Sequence, residues 1–366
     1  MYALRTLRSQ PVRLLLTVGG VALCIILMLF LLAVYRGAAD GSVDYIRRNK
    51  ADLWVLQRNA TNILRGSSLV SAAQGERIAT VPGVGTVSPV LFLLSTVKKG
   101  GDVRTIFLTG FEPDSGLGGP PQLVQGRNIR RDDEIVLDKS FAQKFKFVVG
   151  DDVDLQGRRL KVVGISGWTN AFVIQYAFVT LRFARDLIGF PSLATCFLVR
   201  IGEGADLGGV QAQIREELPG LEVYDHPTFL QNNIQEMKSG FLPLLYTVAA
   251  IGAVVLTVIL SLLLSVNILE RRKDFAILKT IGSPLAFLWG MVIKQALLIS
   301  SASSLAALLA FFPLVRLIER VSPEVSTKST FGQIAAVVLA VGVMSLLSSG
   351  ISIRRLRRIY FLEAFR

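Results

Sequence analysis

The chain has 366 residues, 51% of them hydrophobic and 18% charged, and its mean hydropathy of +0.52 is too high for a soluble protein of this size. Its net charge of +13 is unevenly placed: residues 36–240 carry 24 Lys/Arg against 22 Asp/Glu, and the other 161 residues carry 16 against 5. The balanced central region argues against a nucleic-acid binder, and two cysteines with one histidine are too few soft ligands for a Cys/His zinc site.

Residues 1–13 form a short basic amphipathic lead that suits a membrane surface. Four apolar segments follow, each near or above the roughly 20 residues that cross a bilayer: Leu14–Val34, Leu242–Leu269, Leu285–Leu314 and Ile334–Ile353. The first is longer than a signal-peptide core and ends in Tyr35-Arg36-Gly37 without a small-residue cleavage site, so it reads as a span. The basic residues cluster at Arg5, Arg8 and Arg13, at Arg271, Arg272, Lys273 and Lys279, and at Arg354, Arg355, Arg357, Arg358 and Arg366. The positive-inside rule then places both termini and the 270–284 loop in the cytoplasm and residues 36–240 outside. The predicted order is a lead (1–13), a span (14–35), an outer domain (36–240), a span (241–269), a cytoplasmic helix (270–284), a span (285–314), a short outer loop (315–333), a span (334–353) and a basic tail (354–366). This is an α+β membrane protein: four transmembrane helices, with a large extracytoplasmic α+β domain between helices 1 and 2.

The first span is expected to continue outward as a stalk over Ala38–Asn49, with Val43 and Ile46 on one face, and Thr228 to cap a second stalk before span two. Between the stalks, Ala51–Gln57, Thr86–Lys98, Val103–Phe111, Glu134–Leu137, Val153–Gln156, Leu160–Ile165, Ala177–Thr180, Cys196–Ile201 and Leu221–Tyr224 read as strands. Helices are predicted after Ser68 (about 13 residues), over Ser140–Lys146 and over Leu207–Leu218. A strand–helix–strand unit near each end and a β-rich middle suggest two subdomains, the middle one an insertion. His226 precedes Pro227 and is expected in a turn. Cys24 and Cys196 are not expected to pair.

No Gly-x-x-x-x-Gly-Lys-Ser/Thr, Gly-x-Ser-x-Gly or His-Glu-x-x-His occurs, so no P-loop and no hydrolytic constellation is present. Asp132-Asp133-Glu134 and Asp151-Asp152-Asp154 lack EF-hand spacing and read as solvated turns. The chain is therefore not predicted to be an enzyme, and it has no cofactor or metal of its own. Two features remain. Glu270-Arg271-Arg272-Lys273-Asp274-Phe275-Ala276-Ile277-Leu278-Lys279-Thr280-Ile281-Gly282-Ser283 is a charged island between two apolar runs, stopped by Gly282 and Pro284. As a helix it carries Phe275, Leu278 and Ile281 on one stripe, suited either to lipid headgroups or to a groove on a partner. Lys294 and Gln295 lie about ten residues into the third span; Lys294 is either a functional intramembrane cation or a snorkelling one. The hydroxyls and small residues of Ser300–Ala307 suit close helix packing.

One span, a large outer domain and three more spans, with a charged helix between the second and third, resemble the MacB/FtsX-like permeases of ABC systems. The resemblance covers the whole chain. It is carried by Ala3-Leu4-Arg5-Thr6-Leu7, Ala51-Asp52-Leu53-Trp54-Val55, Val81-Pro82-Gly83-Val84, Gly110-Phe111-Glu112-Pro113, Gly126-Arg127 and Val162-Val163-Gly164-Ile165 in that order. The 270–283 stretch is similar to the family's Glu-Arg-x-x-Glu-Ile-Gly-Ile-Leu-Arg-Ala-Leu-Gly, with Asp274, Phe275, Ala276 and Lys279 as departures that look closer to the DevC-like branch. Gln295 stands where many members have Glu.

The resemblance implies that Glu270, Arg271, Arg272, Lys273, Phe275, Ala276, Leu278, Lys279, Ile281 and Gly282 form a helix that couples the chain to a separate ATPase subunit, present in two copies, which binds the ATP. It implies a second permease copy or a paralogue, a bacterial cytoplasmic (inner) membrane location, and, in a two-membrane cell, a periplasmic adaptor (membrane fusion protein) and an outer-membrane duct. The implied function is export of a lipid-like, lipoprotein, peptide or drug cargo. The alternative is an FtsX-type device that signals across the membrane to a cell-wall hydrolase.

Overall fold

The structure, a computed structural model, describes residues 11–63, 68–99, 101–171, 174–240, 242–270, 277, 281 and 283–356. It divides into two units: Met1–Arg36, Pro243–Ile318 and Thr327–Arg366 make the first, and Gly37–Leu242 with Glu319–Ser326 the second.

The first unit is built from helices. α1 runs Pro11–Arg47, and α7 (Leu242–Glu270), α8 (Leu285–Val321) and α9 (Phe331–Leu356) follow the outer domain in the chain. Val21, Ile25 and Leu29 of α1, Ala296, Ile299 and Ala307 of α8, and Val337 and Val341 of α9 form its buried core. Alanines at these positions allow the helices to approach closely. Two hydroxyls are satisfied by backbone carbonyls: Thr257 Oγ1 donates to the Ala253 oxygen at 2.9 Å, and Ser348 Oγ crosses from α9 to the Thr257 oxygen of α7 at 2.9 Å. The outer faces keep large aliphatics exposed, among them Leu15, Leu16, Leu23, Val254, Leu305, Leu309 and Leu339, as a bilayer-facing surface requires.

Among the described residues, three helices are long and apolar enough to cross a membrane: Leu15–Arg47, Trp289–Val321 and Phe331–Gly350. The apolar stretch described in α7, Tyr246–Ile259, is shorter. The third predicted span does not stop at Leu314. α8 continues past Pro313 to Val321, because proline's fixed φ is already helical and Leu314, Val315, Leu317 and Ile318 sustain the apolar pattern. The connection to α9 shrinks accordingly to residues 322–330. The N-terminal lead up to Gln10, and the tail from residue 357 onward, lie outside the described residues.

The second unit is an α+β domain around one ten-stranded sheet. Its strands are β1 (Leu53–Gln57), β3 (Val84–Lys99), β4 (Asp102–Phe111), β5 (Gln122–Gly126), β6 (Glu134–Asp138), β7 (Asp152–Leu155), β8 (Arg158–Gly167), β9 (Tyr176–Thr180), β11 (Cys196–Ile201) and β12 (Leu221–Asp225). They run in the order β12-β1-β11-β3-β4-β9-β6-β8-β5, with β7 beside β3 and β8. A separate two-stranded pair joins β2 (Val70–Ser71) to β10 (Leu193–Ala194). The two groups of strands expected from sequence are therefore joined rather than separate. The 16-residue β3 pairs with β11 from Val84 to Val90 and with β4 from Leu91 to Lys99.

Period-two alternation sorts the strands onto two faces. In β1, Leu53 and Val55 pack with Ile78 of α2 (Ala72–Ala79) and with Val210 and Ile214 of α5 (Leu207–Glu217). Trp54 and Leu56 face the opposite core. There the end of α1 is embedded. Val43 and Ile46 are fully buried, as their shared face predicted. Tyr45 stacks on Tyr176 at 4.9 Å, meets Phe92 edge-on at 5.8 Å, and donates its hydroxyl to the Gly118 oxygen at 2.7 Å. The second stalk, α6 (His226–Gly240), inserts Phe229 against Trp54, with ring centroids 4.5 Å apart. Beyond β3, the sheet's other face packs Ile106, Leu108, Ile135, Leu137 and Val179 with Phe141 of α3 (Lys139–Phe145) and Phe183 of α4 (Leu181–Ile188).

Four local expectations need correction. His226 is not in a turn but starts α6, accepting from Trp54 Nε1 through Nδ1 at 3.3 Å, so Thr228 lies inside the helix rather than capping it. Ser68 caps nothing: its hydroxyl accepts from Gln57 N and donates to the Thr195 oxygen at 2.6 Å, and the helix starts after Ser71. α4 went unread although Thr180, which accepts from Phe183 N, and Gly189 at φ +74° bracket it. β5 went unread because every one of its residues is exposed at the sheet edge, leaving no alternation to find.

Gly126 shows what a quoted glycine does. Its φ is +74°, and a Cβ there would lie 2.2 Å from the Val163 oxygen, which accepts from Arg127 N at 2.9 Å. Gly126→Ala is expected to lower stability by about 2 kcal/mol or more, because strain at positive φ adds to a backbone clash. An unchanged thermal midpoint of the outer domain would refute this.

Candidate functional site

The stretch that the sequence singles out starts at the end of α7 on Glu270. Arg271, Arg272, Lys273, Phe275, Ala276, Leu278, Lys279 and Gly282 lie outside the described residues. Two positions in it are described. Ile277 is helical and 49% exposed, and Ile281 is 76% exposed. The Ile281 N–H donates to the Ile277 oxygen at 3.1 Å, an i to i−4 bond of α-helical type. These two aliphatics four residues apart share one helix face. After Pro284, whose oxygen accepts from Phe287 N at 2.9 Å, α8 begins.

Lys294 and Gln295 sit ten residues into α8 but do not act as a pair. Lys294 is exposed and Gln295 is half-buried, with its Nε2 buried and without a hydrogen-bond partner among the described residues. Neighbouring helix positions face about 100° apart, which separates the two side chains. Ser300, Ser303 and Ser304 of α8 and Ser345, Ser348 and Ser349 of α9 are all buried, consistent with the packing role read for the small residues.

In the second unit, a cleft of about 420 Å³ opens between the end of β4, the loop before β6 and the start of α4. Burial pushes the Glu112 carboxyl up, with Arg185 opposing that shift, and burial pulls the Arg185 guanidinium down. Arg185 Nε donates to the Leu193 oxygen at 2.8 Å. Asp132 accepts from Thr180 Oγ1 at 2.6 Å and stands 3.6 Å from Arg182 Nε. The lining carries both signs of charge.

The two acidic clusters separate in the structure. Asp151 Oδ2 and Asp154 Oδ1 accept from Val148 N and Gly157 N, so they fix turns. Glu134 is not solvated. Its carboxylate is 4% exposed and is gripped by Arg127 through two bonds of 2.8 and 2.5 Å, with Arg130 N at 2.8 Å. Among the described residues no group of three His, Cys, Asp or Glu side chains is placed to hold a metal.

Comparison with known proteins gives two matches to family models. The MacB-like periplasmic core domain matches residues 14–217, and the FtsX-like permease C-terminal model matches residues 246–361. An uncharacterized ABC transporter permease of Mycobacterium tuberculosis (strain H37Rv) is 25% identical, over 86% of this chain and 87% of its own. Another, from Mycobacterium bovis, is 23% identical, over 99% of this chain and 97% of its own. Among solved structures, the periplasmic region of MacB from Actinobacillus actinomycetemcomitans is 16% identical, with a TM-score of 0.42, covering 51% of this chain and 94% of that one. The extracellular domain of the ABC-type transporter YknZ is 12% identical, with a TM-score of 0.37, covering 48% and 99%.

Proposed function

The chain belongs to the MacB/FtsX-like family of ABC transporter permeases, and from that membership we propose that it converts ATP hydrolysis in a separate subunit into motion of its outer domain, moving cargo outward. The observation that carries this reading is the pair of exposed aliphatics, Ile277 and Ile281, between α7 and α8, in a chain with no P-loop of its own. An exposed apolar helix face suits insertion into a groove on another protein. The stalks support the same reading: Tyr45 of α1 and Phe229 of α6 are locked into the outer domain's core, so both helices enter it as stiff levers. Two permease copies with two ATPase subunits make the working assembly. All four apolar segments cross the inner membrane, α7 included, with both termini in the cytoplasm. The cargo is lipid-like, lipoprotein, peptide or drug, and an adaptor and outer-membrane duct serve where there is a second membrane.

The test is purification of the tagged full-length chain from its own membranes. An ATP-binding subunit is expected to accompany it and to hydrolyse ATP at a different rate when bound. A folded chain that reproducibly comes away alone would count against the reading.

A further inference from the structure

We propose that Glu324 and Lys144 are positioning residues that fasten the α8–α9 connection to the outer domain, giving that domain a point of drive separate from the two stalks. The proposal rests on the coupling function of the preceding subsection.

It starts from the path of the chain. Glu319–Ser326 belong to the second unit, while the residues on either side of them belong to the first. The chain therefore passes between the units four times, where a domain inserted between two helices requires only two.

The connection is held by named contacts. Glu324 Oε1 is ion-paired with Lys144 Nζ of α3. The Glu324 main-chain oxygen accepts from Asn170 Nδ2 at 2.9 Å. Asn170 Nδ2 also reaches Ser140 Oγ at 3.2 Å, and Asn170 Oδ1 accepts from Gln175 Nε2 at 3.1 Å. The Glu324 side chain is only 23% exposed, and its second oxygen is buried without a hydrogen-bond partner among the described residues. A carboxylate in that position depends on its lysine more than a surface ion pair would.

The neighbouring backbone is equally close. A Cβ on Gly41 of α1 would lie 2.7 Å from the Asn170 oxygen, so helix and loop meet at main-chain distance. Further along the same connection, and within the first unit, Lys328 N donates to the Ala33 oxygen at 3.1 Å and Arg36 Nη1 donates to Thr330 Oγ1 at 2.8 Å. A short connection fixed at both ends transmits a displacement of its helices, whereas a slack loop absorbs it.

The experiment uses membrane vesicles containing the full-length chain with its ATPase subunit, and compares chymotryptic cleavage of the outer domain with and without ATP plus vanadate. The parent is expected to change its cleavage pattern on trapping. Lys144→Glu is expected to lose that change, and Lys144→Glu with Glu324→Lys to regain it. In the double variant the nucleotide-free pattern and the thermal midpoint should match the parent's, so that the regained response is read on an equally folded domain. Glu324→Gln keeps the shape and the main-chain contact; it should also lose the change, and it serves if Lys144→Glu does not fold. A full ATP response in Lys144→Glu or Glu324→Gln overturns the proposal and leaves the coupling reading intact. No ATP response in the parent, with the ATPase subunit bound, overturns both.

Discussion

Replacing Leu278 with aspartate is expected to detach the ATPase subunit while the chain stays folded. The sequence spacing that puts Leu278 on one stripe with Phe275 and Ile281 is the basis of this expectation, and Ile277 and Ile281 in the same stretch are exposed. A central anchor in an interface groove is worth about 2 kcal/mol or more when truncated, and a carboxylate in its place adds the cost of an unpaired charge. That corresponds to roughly 30-fold or greater loss of affinity for the partner. Phe275→Ala should weaken binding in the same direction but less, since it leaves a smaller apolar residue rather than a charge. The measurement is the amount of ATPase subunit retained on the tagged chain, together with its hydrolysis rate. Unchanged retention in Leu278→Asp would place the stripe in lipid headgroups instead of a protein groove.

Glu134→Ala is expected to destabilise the second unit markedly. The Arg127 guanidinium beside Glu134, helped by the N–H groups of Arg130 and Arg131, holds its carboxyl down at about 2 against the burial that would raise it. Removing the carboxylate leaves those donors unmatched next to a new void, at a cost of about 3 kcal/mol. For a domain of this size that is a fall of roughly 6–12 °C in the unfolding midpoint. The pH dependence follows from the direction of the shift. A carboxyl with a depressed folded-state pKa contributes in full above its ordinary value, and the contribution fades as pH falls from about 4.5 toward 2. The parent should therefore lose stability over that window more steeply than Glu134→Ala. Thermal unfolding of both chains at pH 7 and pH 3 checks this; parallel loss in the two would assign the acid sensitivity elsewhere.

Much of the second unit was legible because its strands alternate. Cys196–Ile201 appears with its predicted bounds, and Thr86–Lys98 and Val103–Phe111 fall within a few residues of β3 and β4. What failed had no local pattern to read. β5 is exposed throughout. α4, eight residues long, follows directly on a strand whose Thr180 also serves as its cap. Glu134 sits in an acidic cluster typical of a solvated turn, and its burial is made tolerable by Arg127, seven residues earlier, with the N–H groups of Arg130 and Arg131. At the candidate site, the spacing of Phe275, Leu278 and Ile281 predicts a stripe whose first two members lie outside the described residues.

Hydropathy and period act over a few residues, so they were enough to mark α1, α8 and α9 as apolar helices, to extend α1 beyond its apolar run, and to mark a charged island between two long apolar runs. Three further features depend on residues far apart in the chain: one strand, β3, serving both halves of the sheet, a nearly buried carboxylate, and a short connection after α8 that belongs to the outer unit. Lys144 and Glu324, which fasten that connection, are 180 positions apart. Neither carries any local sign of the other, because an ion pair is selected by the folded geometry that brings its members together and leaves no periodicity in the sequence around them.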